Sequence, residues 1–512
     1  MSTLQDRLRA LGAANLRNIR RGIEKESLRV RSDGRLAAGP HPEGLGSALT
    51  HPHITTDFSE SQLELITGVH TGVEACLEEL TRIHQVVYRH IGEDMMWCAS
   101  MPCGLPGDDT IPIGRYGTSN VGRAKTVYRI GLAHRYGRRM QTISGIHYNF
   151  SLPAVEDANI AYFALIRNFR RHSWLLLYLF GASPSVCSSF VEGRTHELNE
   201  LKPGTMYRPS ATSLRMGPLG YQSDAQSSLA VSYNCLESYG ASLQDALTKP
   251  YPAYETIGIR EPGVAGEGID SYRQLGTTLL QIENEFYGTI RPKRVIHQGE
   301  RPLHALRERG VEYVEVRLMD LNPFETIGID AGTIRLLDIF LLHCMLVDSP
   351  ADTPAELAAN ARNQHRVAAR GREAGLTLER NEGEVSLLDW GTEVLSACEP
   401  IAAALDAAHA TGAYSDALAS AQSALRNPGV LPSARVLEAM AADDDSYIRF
   451  VLKQSRQHLA AIKALALPED EAARFDAMAH ASVADQRAIE ASDNLPFEIF
   501  RQRYLAPERL GL

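Results

Sequence analysis

The sequence predicts an α+β protein: a sheet assembled from scattered strands, occupying residues 1–330 with its surrounding helices, then a mainly helical carboxyl-terminal region over 331–512. Three observations predict it. Short β-favouring runs with Gly, Pro and Asn punctuation recur between residues 20 and 330. Helical runs, Val73 to Gly92 and Asn159 to Leu179, lie among them, so strands distant in sequence must pair. After residue 330 alanine dominates in amphipathic runs, which favours helix.

Taken in order, MSTLQDRLRALGAANLRNIR alternates charged and apolar residues at helical spacing and lacks the unbroken apolar stretch of a signal peptide. The first strand, GIEKESLRV, would place Glu24, Glu26 and Leu28 on one face and Ile23, Lys25 and Ser27 on the other. Two neighbouring carboxylates repel unless a cation, a proton or an arginine compensates them. Further strands are expected in HITTDFSESQLELITG, ISGIHYNFSL, LLQIENEFYGTIRP and GVEYVEVRLMDLNP. DAGTIRLLDIFLLHCMLVD reads as a buried helix, and TPAELAANARNQHRVAARGREAG as a second one, with Thr353 as cap, Pro354, a first-turn Glu and a closing Gly.

Composition excludes several classes. The chain has 512 residues, 44% of them hydrophobic and 22% charged, which is ordinary for a globular protein and long enough for several units. Its 52 basic and 62 acidic residues give a net charge of -10 without a dense basic run, against general nucleic-acid binding. The apolar stretch WLLLYLFGA from Trp174 is about half the ~20 residues that cross a bilayer, so no membrane partner is expected. Seven cysteines, at 76, 98, 103, 187, 235, 344 and 398, form no CxxC pair. Their odd number points to free thiols in a reducing cytosol, hence a cytoplasmic protein.

Familiar catalytic motifs fail. GTSNVGRAKT spaces two glycines like a P-loop, but Arg follows Gly122 where Lys-Ser or Lys-Thr is needed. HELNE at His196 lacks the second histidine of a zinc protease, and neither G-x-S-x-G nor a helix-opening G-x-G-x-x-G is present.

The acids within strand-like runs carry more information. Glu24 and Glu26 are joined by Asp57 and Glu64 in TTDFSESQLELIT, by Glu315 in YVEVR, and by His147 in GIHYNF. In the strand-like runs a polar residue is bracketed by apolar ones, as though the strand buries one face and turns a charge toward something on the other. Singly, an acid on the wet face of a half-buried strand needs no function. Jointly, five carboxylates lining one concavity require cations, and carboxylate oxygens suit more than one Mg²⁺; the histidine leaves Mn²⁺ open. A basic set accompanies them: Arg123 and Lys125, Arg215, Arg291, Lys293 and Arg294, and Arg317 on the face of Glu315. Carboxylates, divalent ions and arginines on one sheet are the equipment for phosphoryl transfer from ATP to an acid.

The runs GIEKESLRV, SALTHPHITTDFSESQLELIT, SMPCGLP, YGTSNVGRAKTVYRIGL, MQTISGIHYNFSLP, YLFGASPSVCSSF, ATSLRMGPLGY, LQIENEFYGTIRPKR and GVEYVEVRLMDLNPF closely resemble the proteobacterial glutamate-cysteine ligases, in order from about residue 16 to 330. The resemblance implies a fold similar to the glutamine synthetase catalytic domain, an antiparallel sheet forming a funnel with metal ligands on its wall. It implies metal ligation by Glu24, Glu26, Asp57, Glu64, His147 and Glu315, and an Arg215 that handles a substrate carboxylate. It also implies a cysteine pocket of Tyr128, Leu132, Ile146, Tyr221 and Tyr287, with Lys293 and Arg317 on the phosphate side. Two departures stand out: the segment after FSLP is short, so Cys103 is expected to lack the partner some relatives offer it there, and IREPGVAGEGIDSYRQLG reads as a long glycine-rich loop.

The expected activity is therefore ATP-dependent ligation of the L-glutamate γ-carboxylate to the amine of L-cysteine, with ATP and Mg²⁺ as cofactors, in a chain expected to be monomeric. A related ligase with another amine acceptor, a metal-dependent hydrolase using the same acids, and a nucleotide-binding protein without turnover remain alternatives.

Overall fold

The computed structural model describes residues 3–153, 155–220, 224–227, 229–261, 268–297, 299–381 and 383–511. The amino-terminal helix Leu4–Arg17 is closed by a capping box between Thr3 and Asp6. Strand β1 (Arg20–Val30) follows, then β2 (Ile54–Thr56), β3 (Gln62–Ile66), the short β4 (Met95–Met96) and β5 (Ile146–Ser151). Strands β6 (Ser185–Cys187), β7 (Asn199–Lys202) and β8 (Thr205–Tyr207) form a small separate sheet. Strands β9 (Ile290–Lys293) and β10 (Tyr313–Met319) return to the main sheet, and β11 (Thr377–Arg380) with β12 (Gly383–Ser386) makes a hairpin inside the carboxyl-terminal region.

The main sheet runs β2-β3-β1-β5-β10-β9, all antiparallel, with β4 added beside the far end of β1. This is the expected α+β architecture, its strands drawn from nearly 300 residues of chain. Two expected strands are shorter than their sequence runs. HITTDFSESQLELITG is a hairpin, β2 and β3, whose connection holds Asp57. In LLQIENEFYGTIRP only Ile290–Lys293 pairs, because Gln281 N–H and the Glu283–Glu285 turn direct the preceding backbone elsewhere.

One face of the sheet is sealed by helices. Ile23, Lys25 and Ser27 of β1 point into it, with Ile146, Tyr148 and Phe150 of β5. The Lys25 Nζ donates to Ser27 Oγ at 2.7 Å, and burial draws its pKa down to about 8. Helix Ala331–Leu346 packs against helix Ala158–Phe180 and is buried from Leu336 onward. Its Asp338 takes the Arg21 guanidinium of β1 (2.9 Å) and the Tyr148 hydroxyl of β5 (2.6 Å), tying the helical region to the sheet through a fully buried ion pair. Thr353 caps helix Pro354–Arg370 as the sequence predicts. Among the described residues no helix is long and apolar enough to cross a membrane.

The cysteine expectation needs correction. Cys103 and Cys187 form a disulfide, their Cα atoms 5.1 Å apart, while Cys76, Cys98, Cys235, Cys344 and Cys398 are free. The two halves lie 84 residues apart and meet because β6 returns beside the loop following β4. No local spacing signals such a contact. The glycine-rich stretch at 262–267 falls outside the described residues.

Candidate active site

The open face of the sheet carries the charges. Strand register sets Glu24 of β1 beside His147 of β5, Glu26 of β1 beside Glu64 of β3, and Glu315 of β10 beside Arg291 of β9. Alternation then aims these side chains at one side. His147 Nδ1 lies 3.3 Å from Glu24 and 3.9 Å from Glu315, and its Nε2 lies 3.5 Å from Glu26. Asn149 Nδ2 donates to Glu24 (2.9 Å), and the Gly145 N–H donates to Glu26 (2.8 Å). On the other flank Lys293 Nζ and Arg317 Nη1 donate to Glu315 at 3.2 and 3.0 Å.

The electrostatics divide the cluster in two. Burial and the neighbouring Asp57 push Glu26 up to about 8, and burial with Asp57, Glu24 and Glu26 raises Glu64 well above the usual carboxylate range. Glu315 goes the other way: burial opposes its charge, but Lys293, Arg317, His147 and Arg291 outweigh it. Glu24 also falls, since the His147 hydrogen bond and Lys293 overcome burial and the repulsion of Glu315. Burial and Arg317 lower His147, so its ring is neutral at pH 7 and can offer a lone pair. In the Glu315 half the protein cations outweigh burial; in the Glu26 and Glu64 half Arg215, Arg317 and Arg129 act in the same direction but burial and the neighbouring acids win.

A metal ion fits where the two halves meet. Glu24, Glu64 and His147 each present a ligand atom within 4.8 Å of the others, and His147 Nε2 is buried without a hydrogen-bond partner. Carboxylate oxygens with one imidazole suit Mg²⁺ or Mn²⁺.

A cavity of about 380 Å³ opens over this surface. Glu24, Asp57, Glu64, His147, Glu315, Lys293 and Arg317 line it, as do Tyr128, Leu132 and Tyr287. Helix Asn120–Tyr136 supplies one wall, with Val121, Ala124, Lys125, Tyr128, Arg129 and Leu132 at the three- and four-residue spacing of a single face. The near-miss P-loop is the start of this helix: Ser119 caps it by accepting from the Gly122 N–H (3.1 Å), and Gly122 sits where a Cβ would strike the Tyr116 carbonyl.

Other expected residues lie elsewhere. Glu26 sits just below the lining, only 5% exposed. Ile146 is on the sealed face beside Lys25, near Gly328. Arg215 is 1% exposed beneath Gly145, its Nη2 donating to the Arg317 carbonyl (2.8 Å) and its Nη1 3.9 Å from Asp320. Tyr221 falls outside the described residues. Sequence reasoning missed Gln141, Asn284, Ile296, Phe500 and Tyr504, which also line the cavity. For the helix wall the signal was legible as spacing; for Phe500 and Tyr504 only their i, i+4 separation hinted at a shared face.

Comparison with known proteins gives this geometry a family. Residues 7–367 match the family model described as glutamate-cysteine ligase. The glutamate–cysteine ligase of Alcanivorax borkumensis is 47% identical over 524 residues, spanning 98% of this chain and 99% of that one. That of Janthinobacterium sp. is 48% identical over 501 residues, 95% and 94% of the two chains. Among solved structures, the Francisella tularensis glutamate–cysteine ligase in complex with AMP superposes with a TM-score of 0.89 at 35% identity, covering 95% of this chain and 97% of that one. A bifunctional glutathione synthetase from Pasteurella multocida matches over 93% of this chain and 58% of its own, with a TM-score of 0.71 and 25% identity. A family model spanning most of the chain and near-complete relatives at almost half identity place it: the chain belongs to the glutamate-cysteine ligase family.

Proposed function

We propose that this chain uses ATP to join the γ-carboxylate of L-glutamate to the amine of L-cysteine, giving γ-glutamylcysteine, ADP and phosphate, the first step of glutathione biosynthesis. The single observation that carries the reading is one cavity lined by a divided carboxylate cluster, by Lys293 and Arg317, and by an apolar, tyrosine-bearing wall. Family membership supports it, as does the AMP held by the Francisella relative.

The chemistry explains the composition of the wall. A carboxylate and an ammonium form only a salt at neutral pH, because hydroxide is a poor leaving group; converting the γ-carboxylate to an acyl phosphate gives the amine something to displace. The obstacle is bringing anions together: unit like charges ~4 Å apart repel by about 4 kcal/mol at an effective dielectric near 20. Lys293 and Arg317, already paired with Glu315, present fixed positive charge at the cavity surface, where they hold phosphate oxygens. Glu24, Glu26, Asp57, Glu64, His147 and Glu315 would hold Mg²⁺ or Mn²⁺, which when bound supplies charge neutralisation to the phosphates. The acidic pair of β1 is tolerated for that reason. Arg215 braces the Arg317 carbonyl and faces the buried Glu26, and so acts as a positioning residue. Tyr128, Leu132 and Tyr287 receive the acceptor side chain, Tyr287 being steered by the Gln141 amide that donates to its hydroxyl (2.8 Å). Departing phosphate serves as base for the cysteine amine.

In the same reading the sheet is a funnel of the glutamine synthetase type, and residues 1–330 form the catalytic unit on which 331–512 packs. The test is product formation from glutamate, cysteine and ATP with Mg²⁺, followed by mass spectrometry of γ-glutamylcysteine; product independent of ATP, or none with every substrate present, rejects the reading.

A further inference from the structure

Tyr287 stands between two voids. It lines the catalytic cavity, and it also lines a second cavity of about 260 Å³ bounded by Arg170, Met216, Gln226, Tyr233 and His365. Among the described residues it is the only one that lines both. A ring with empty space on each flank is not fixed by close packing, because a void offers it no partner atoms. Its position must come from directed contacts.

Those contacts are present. The Tyr287 N–H donates to Gln226 Oε1 (3.0 Å), and Gln226 Nε2 donates in turn to the Glu285 carbonyl (2.9 Å) and the Tyr136 hydroxyl (3.2 Å). One amide thus bridges the backbone of residues 285 and 287. The Tyr136 hydroxyl donates to Glu285 Oε1 (2.7 Å), and the Tyr136 ring meets that of Tyr287 edge-on, with centroids 5.6 Å apart and 70° between planes. Glu285 is anchored more deeply. It pairs with Arg135 (2.8 Å), both side chains fully buried, and accepts from the Gln281 N–H (2.7 Å). Gln226, Tyr136, Glu285 and Arg135 do not themselves line the catalytic cavity.

We infer that Gln226, backed by Tyr136 and Glu285, is a positioning residue that sets the length of amine acceptor the site takes, by holding Tyr287 off the second cavity. The inference rests on the reading above that Tyr287 belongs to the acceptor wall. Released from Gln226, the Tyr287 ring can turn into the space beside it, and the acceptor end of the catalytic cavity lengthens. Cysteine then loses a contact, while an acceptor one methylene longer gains room. This supplies what an apolar wall alone does not. Such a wall favours a thiol over a hydroxyl, but an upper limit on length requires a wall that cannot yield. The buried Arg135–Glu285 pair makes it unyielding, since Glu285 cannot shift without stranding a guanidinium. Lys293 and Arg317 take no part in the network, so its loss falls on the acceptor and not on the phosphates.

The test compares kcat/KM of the full-length protein for L-cysteine and L-homocysteine, which adds one methylene to the same thiol, at saturating ATP and glutamate. Gln226→Leu removes the bridge and should lower the preference for cysteine over homocysteine by about tenfold or more, chiefly through a higher cysteine KM, while the KM values for ATP and glutamate hold. Tyr136→Phe keeps the ring against Tyr287 but loses the hydroxyl, so it should shift the preference the same way by a smaller factor, and it serves as the test should Gln226→Leu misfold. An unchanged preference in the folded variants, or an equal loss of kcat with both acceptors, overturns the inference, the network then being scaffold alone. Tyr287→Ala with the wild-type preference removes Tyr287 from the acceptor wall and overturns the inference while the ligase reading stands. A wild type that makes no γ-glutamylcysteine from ATP overturns the functional reading and this inference together.

Discussion

Replacing Glu26 by glutamine in protein stripped of metal isolates the electrostatic cost that the cluster carries. Burial and Asp57 raise the Glu26 pKa from 4.5 to about 8, so the folded state holds a proton that the unfolded chain has lost at neutral pH. For an acid raised on folding, stability is full below the unfolded pKa and is lost as pH climbs through the folded one. Going from 4.5 to about 8 costs the metal-free fold about 3 kcal/mol at pH 7 and about 4 to 5 kcal/mol at pH 8.5. Glutamine keeps the acceptor that the Gly145 N–H uses at 2.8 Å but cannot ionise. In the presence of a chelator, urea unfolding of Glu26→Gln should therefore give a higher midpoint than wild type at pH 7 and 8.5, the two converging below pH 5. Adding Mg²⁺ should stabilise the wild type, release protons to a pH dye, and do little to the variant, which should also lose ligase activity. A chelated variant no more stable than wild type, with the same pH slope, would refute the reasoning, since Glu26 would then be satisfied without a cation.

Four further outcomes follow from the same structure. Asp338→Asn strands the fully buried Arg21 guanidinium and should cost about 3 to 5 kcal/mol in urea unfolding; a loss under 1 kcal/mol would mean that water reaches the pair. Arg215→Lys keeps the charge facing Glu26 but loses the 2.8 Å bond to the Arg317 carbonyl, so kcat/KM should fall about tenfold or more for ATP and glutamate alike; a rise confined to the glutamate KM would assign Arg215 to the substrate carboxylate instead. The acceptor wall is largely apolar, so L-2-aminobutyrate should exceed serine in kcat/KM by roughly 5- to 150-fold, and Tyr287→Phe and Leu132→Ala should shift acceptor choice while ATP saturation holds; a preference for serine contradicts this account of the wall. His51 is buried with its Nδ1 accepting from the His53 and Ile54 N–H groups, and burial with His53 lowers its pKa to about 4. A histidine held neutral by the fold contributes stability above pH 6.5 and loses it as pH falls toward 4, by up to about 3 kcal/mol, so His51→Gln should flatten that limb of the urea midpoint against pH; an unaltered limb assigns acid lability to other groups.

What could be read from the sequence depended on how locally each feature is encoded. Strand alternation places Glu24 and Glu26 on one face and His147 opposite Ile146, because the pleat makes parity a local property. It could not say which strands are neighbours. That Glu24 meets His147 across β1 and β5, more than a hundred residues apart, follows from register. The same parity explains Ile146: its odd step from His147 sends it to the sealed face, away from the cavity that the family resemblance suggested for it. Asp57 reads as a strand acid in HITTDFSESQLELITG, yet it sits in the β2-β3 connection, because a one-strand reading of that run could not anticipate its fold-back. The pairing of Cys103 with Cys187, and the approach of Phe500 and Tyr504 to a cavity built by β1, β5 and β10, are contacts of high sequence separation that periodicity does not carry.

The central claim is that ATP phosphorylates the γ-carboxylate before the amine attacks. Glutamate labelled with ¹⁸O in its γ-carboxylate, incubated with the protein, ATP, Mg²⁺ and cysteine, tests it directly. An acyl phosphate transfers one carboxylate oxygen to phosphorus, so each γ-glutamylcysteine formed should be matched by one inorganic phosphate carrying a single ¹⁸O. Product accompanied by unlabelled phosphate would contradict the account.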